Sequence, residues 1–125
     1  MRAILKLLFA SSLLVCAGCT SVITNLTPST LPRNANGQYL VEMKLDTRQQ
    51  TMRPETITPY VVTGFNEYKM RPTAKMENRW ETYIPVATNE NVIYYRYKVD
   101  YQYNRFGGPA PGSIRSEDYK LTIKQ

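Results

Sequence analysis

The chain has 125 residues, 16 Lys and Arg against 10 Asp and Glu, ten Tyr, two Cys and no His, for a formal net charge of +6. Absence of His removes the commonest general base, triad member and transition-metal ligand, and no run of five or more basic residues occurs to suit nucleic acid. An enzyme, a metal centre, a cofactor and a nucleic-acid partner are therefore not expected.

The first element is an export segment. Met1 to Lys6 supplies a positive start, Leu7 to Val15 an apolar stretch, and Ala17-Gly18-Cys19 a small-residue junction. The apolar run from Leu7 to Gly18 is 12 residues, short of the roughly 20 that span a bilayer as a helix. Cys16-Ala17-Gly18-Cys19 resembles the lipobox of the type II signal peptide of bacterial lipoproteins, with Cys16 standing where Leu is usual. The resemblance implies that residues 1–18 are removed and that Cys19 becomes the lipidated first residue, carrying palmitate-type acyl chains. Thr20, in place of Asp, implies sorting to the outer membrane of the cell envelope. Secretion without lipid after Gly18 is the alternative. Residues 19–125 keep 14 basic and 10 acidic residues, a net +4, and no thiol once Cys19 is acylated. They make one domain without disulfides or Cys-bound metal.

Beyond Cys19 the pattern is that of strands. Val22 to Leu26 is a possible first, edge strand, and residues 19–36 otherwise read as lipidated N-terminus and tether. The β-sandwich domain proper is expected over 37–125. Tyr39, Val41, Met43 and Leu45 alternate with Gln38, Glu42 and Lys44, a period of two that sends the sets to opposite faces. Thr56 to Thr63 is rich in β-branched residues; Gly64-Phe65-Asn66 reads as a hairpin turn onto Glu67 to Met70. Asn78 to Val86 carries Trp80, expected in the core with Thr82 and Ile84. In Val92 to Tyr103, Ile93, Tyr95, Tyr97, Val99, Tyr101 and Tyr103 face inward with hydroxyls near the rim. Tyr94, Arg96 and Lys98 lie on a solvated face, where reversal of the Lys98 charge is expected to be tolerated. Gly107 to Gly112 reads as a turn-forming loop, and Tyr119, Leu121 and Ile123 close the domain on a strand.

About seven strands with no helical period give an all-β, two-sheet antiparallel sandwich. The strand spacing, Trp80 in a middle strand and the Tyr-rich penultimate strand resemble the immunoglobulin-like superfamily of the disulfide-free, fibronectin type III kind. That resemblance places the Asp46–Glu55 and Asn104–Ser116 loops at one end, so that Arg48, Arg53, Arg105, Phe106 and Arg115 converge there as candidate binding residues. Tyr94 and Arg96 are a second candidate pair, suited to stacking on a sugar or anchoring a protein. No catalytic constellation, phosphate cradle or metal motif accompanies them. The expected function is that of a membrane-anchored, extracytoplasmic, non-catalytic binding or accessory module of an envelope assembly. Its partners would be the membrane, through the lipid on Cys19, and an envelope protein. A module binding cell-wall or surface glycan is the alternative.

Overall fold

The structure, a computed structural model, describes residues 21–125. The export segment and Cys19 lie outside the described residues. The alternating segments fold as expected: β1 (Ser21–Asn25), β3 (Gln38–Thr47), β4 (Thr58–Thr63), β5 (Asn66–Lys69), β7 (Arg79–Pro85), β8 (Val92–Arg105) and β10 (Tyr119–Lys124). Three more strands join them, β2 (Thr30–Pro32), β6 (Arg71–Pro72) and β9 (Gly108–Arg115).

One sheet has the order β1-β3-β7-β6 and the other β2-β10-β8-β4-β5, with β9 also paired to β8. These orders are the A-B-E-D and G-F-C-C′ orders of an immunoglobulin-like sandwich, with β2 added as a short strand parallel to the last. The fold is all-β and immunoglobulin-like.

The core forms because each inner face keeps its period of two. Val41, Met43, Leu45 and Ile84 from one sheet meet Val61, Tyr95, Tyr97, Val99, Leu121 and Ile123 from the other, all buried. Trp80 is half-buried and packs against this cluster. Val61 stands opposite Tyr97, and Tyr60 opposite Lys98, so the register assigned to β8 is the observed one. One detail differs: the Tyr97 hydroxyl is not at a rim. It crosses between the sheets, 2.6 Å from Asn25 Oδ1, 2.8 Å from the Glu42 carbonyl and 3.2 Å from Thr27 Oγ1. Burial pushes its phenol well above the ordinary tyrosine value.

Gly107 to Gly112 is not an open loop. Phe106-Gly107 makes a two-residue turn, with Gly107 at φ 95, and β9 then pairs with β8 from Arg105↔Gly108 to Lys98↔Arg115. Prolines mislead here because they usually break strands, yet they are tolerated at an edge where the missing N–H would face away from the ladder. Pro109 and Pro111 stand opposite Asn104 and Gln102, whose own N–H and C=O groups turn the other way: Asn104 N–H bonds Thr51 O at 2.7 Å and Gln102 O accepts from Arg53 N–H at 2.9 Å. Gly112 is likewise a packing position. A Cβ there would lie 2.6 Å from the ring of Tyr101, which occupies that space. β9 and β10 thus run end to end along one edge of β8, interrupted where the Tyr97 N–H donates to Ser116 Oγ.

Candidate functional site

The two ends of the sandwich differ. β1 begins opposite the end of β3, Ser21↔Thr47, so the chain enters at the end from which the β8–β9 hairpin projects. Asp100, opposite Thr58, is the last residue of β8 paired with β4. Beyond it, residues 51–53 take over the vacated edge through the two backbone bonds to Gln102 and Asn104 and a bridge from Met52 to Tyr103. The projection is therefore three-stranded, with a small core of its own. Met52 and Ala110 are buried on either side of half-buried Tyr103, and the Tyr101 ring lies 6.3 Å from that of Tyr103. A two-stranded hairpin would be only marginally stable in water. A 3-10 turn over Pro54–Thr56 closes the segment, and the Thr56 hydroxyl ties it to β8 by accepting from the Gln102 N–H at 2.8 Å.

Of the arginines expected to converge, the structure places three here. Arg105 is exposed at the end of β8, beside Phe106, which is fully solvent-exposed at the turn (106%). Arg48 is exposed just after β3. Arg53 is largely neutralised, its Nε 3.1 Å from Glu55 Oε1. Lys44 and Asp46 pair at 3.7 Å, whereas neither Arg48 nor Arg105 is in an ion pair among the described residues. Arg115 does not join them. It stands opposite Lys98 at the base of β9, seven register positions from Arg105, roughly 23 Å along the strand. Loop reading missed this because β9 was not recognised as a strand.

Arg115 belongs instead to the outer face of the larger sheet, with Tyr94 and Arg96. Tyr94 is well exposed, and Arg96 lies 4.0 Å from Asp118. Lys98 is less solvated than its position in the alternation implied: its Nζ is 2.8 Å from Glu67 and 3.6 Å from Asp100, above the Tyr60 ring at 4.9 Å. The hydrogen bond to Glu67 holds its ammonium above the ordinary lysine value.

At the opposite end a shallow groove of about 660 Å³ is lined by neutral amides and hydroxyls, among them Asn36, Gln38, Asn66 and Thr88, with Glu90 and the Tyr94 ring. The turn that supplies Ala87, Thr88 and Glu90 to it is held by Arg33, which pattern reading did not single out. Arg33 Nη1 donates to Ala87 O and Nη2 to Asn91 Oδ1, both at 3.1 Å, fastening the 86–91 turn to the end of β2. No group of three or more acidic, Cys or His side chains able to hold a metal occurs among the described residues.

Comparison with protein-family models gives no match, and comparison with curated proteins gives none either. Among solved structures, a chain of murine CRIg is similar, with 12% identity over 83% of this chain and 99% of that one and a TM-score of 0.45. The assignment of the sandwich rests on strand order and register.

Proposed function

We propose that this chain is a bacterial lipoprotein, held at the cell envelope by acyl chains on Cys19, and that it works by binding as an accessory module of an envelope assembly rather than by catalysis. The observation that supports this best is where β1 starts. Ser21 is already paired, so only Thr20 separates the folded domain from Cys19. A membrane anchor there holds the sandwich with its hairpin end at the bilayer and its groove pointing outward. Sorting to the outer membrane follows the same resemblance, through Thr20.

The experiment is Cys19→Ser with membrane fractionation and palmitate labelling. The variant is expected to accumulate as unlabelled precursor or soluble protein, whereas a membrane-bound, acylated, mature-length variant overturns the reading. The glycan-binding alternative is favoured by one observation, the polar lining of the groove, amides and hydroxyls with the single carboxylate of Glu90, beside exposed Tyr94. Loss of cell-wall polysaccharide retention on Tyr94→Ala would select it.

A further inference from the structure

We infer that the β8–β9 hairpin is a bilayer-docking element, which inserts Phe106 into the interfacial region and sets Arg48 and Arg105 on anionic headgroups. The inference rests on the reading of Cys19 as the anchor and adds to it the surface that meets the membrane. It follows from relative heights within the fold. The Tyr97 hydroxyl meets Asn25, which places these residues of the two sheets at one level. Four residues farther toward the hairpin end stand Ser21 on β1 and Tyr101 on β8. From Tyr101 the strand runs on through Arg105 for about 13 Å, at about 3.3 Å per residue, before the Phe106-Gly107 turn. From Ser21 back to Cys19 the chain spans at most about 7 Å. The hairpin thus reaches farther than the tether. An anchored domain cannot stand upright on Cys19 without its tip entering the headgroup layer, and leaning toward the sheet that carries β8 lays the hairpin along the surface.

The chemistry of the tip suits that position. Phe106 has no packing role in the domain, being wholly exposed, while the strands behind it are held by Met52, Tyr103 and Ala110. Its immediate neighbours are Arg105 and two glycines, and neither Arg105 nor Arg48 is engaged by a carboxylate among the described residues. An apolar ring on a rigid two-residue turn, flanked by unpaired cations, matches an anionic interface, where aromatic rings sit at headgroup level and cations are attracted to the surface potential.

The test uses residues 19–125, in which Cys19 is the single thiol, coupled chemically to maleimide lipid in phosphatidylcholine vesicles with and without phosphatidylglycerol. In a Trp80→Phe background, Phe106→Trp reports on the tip and Phe65→Trp, at the exposed turn of the opposite end, serves as control. Emission from the tip indole of Phe106→Trp is expected to shift to shorter wavelength on coupling and to be quenched about twofold by a shallow lipid-borne quencher, consistent with a burial depth of about 5–10 Å. The indole of the Phe65→Trp control is expected to do neither. With Arg48→Ser and Arg105→Ser together, quenching in the phosphatidylglycerol vesicles should fall to the phosphatidylcholine level. An unshifted tip indole, or equal shifts in the two reporter variants, overturns the proposal and leaves the hairpin to a protein partner; quenching indifferent to the two arginines overturns the headgroup contact. Because coupling is chemical, these results do not depend on whether cells acylate Cys19, which the Cys19→Ser fractionation decides separately.

Discussion

Replacing Tyr97 with Phe removes one oxygen and leaves the ring, so it isolates the polar link between the sheets from the packing around it. That oxygen carries one proton, which it donates either to Asn25 Oδ1 at 2.6 Å or to the Glu42 carbonyl at 2.8 Å, while the Thr27 hydroxyl at 3.2 Å is placed to donate to it. None of the partners is orphaned by the change. Asn25 Oδ1 still accepts from the Thr27 N–H at 3.1 Å, and the Glu42 carbonyl still accepts from the Leu26 N–H at 3.0 Å, with the Thr27 hydroxyl free to donate to it at 3.1 Å once the phenol oxygen is gone. The cost therefore falls in the lower part of the range for a lost buried hydrogen bond, about 1–2 kcal/mol. For a domain of this size that corresponds to a fall in melting temperature of about 5–15 °C. Tyr94→Phe removes a hydroxyl from a well-exposed side chain and should change stability by no more than about 0.5 kcal/mol. Thermal unfolding followed by near-ultraviolet circular dichroism compares the two, and a double-mutant cycle with Asn25→Ala should give a coupling above about 0.5 kcal/mol. Equal melting temperatures for Tyr97→Phe and Tyr94→Phe, or additive effects of Tyr97→Phe and Asn25→Ala, refute the assignment of a stabilising role to this link.

The same tyrosine predicts alkaline sensitivity. Its folded-state pKa is raised by burial, so the stability it contributes is complete below the ordinary tyrosine value of about 10 and is lost as pH rises beyond it, because only the unfolded chain ionises. Unfolding free energies should drop less steeply above that pH in Tyr97→Phe than in the parent, and parallel profiles would count against it. Gly112→Ala pushes the Tyr101 ring off its seat and should accelerate amide exchange at Tyr101 to Tyr103 and in β9 while leaving β3 and β7 unchanged. Exchange unaltered in the hairpin would mean that the ring is free to move. Lys98→Asp brings a third carboxylate beside Glu67 and Asp100 and should lower stability by about 1 kcal/mol more than Lys120→Asp at an exposed position of β10. Denaturant midpoints for the two decide it, and equal values contradict the ion cluster.

Seven of the ten strands are legible in the sequence, because alternation of apolar and polar residues is a local property and each run holds enough inward positions to reveal its face. The inward set Tyr95, Tyr97 and Val99 and its partner set Val41, Met43 and Leu45 follow from that period alone. β2 and β6 are too short to show a period. β9 carries its alternation on Gly, Ala, Pro and Ser, whose side chains signal neither face; only its place at an edge, beside the turned-away groups of Gln102 and Asn104, makes a strand possible there. Candidate site residues divide in the same way. Sequence suffices to pick out loop arginines, the exposed Phe106 and the polar-face position of Tyr94. It does not separate Arg115 from Arg105, reveal that Glu55 answers Arg53, or measure the hairpin against the start of β1. Those facts are relations between strands distant in the chain, set by register and by the level at which the two sheets meet through Tyr97. Local residue pattern decides which way a side chain faces, and long-range pairing decides what it faces.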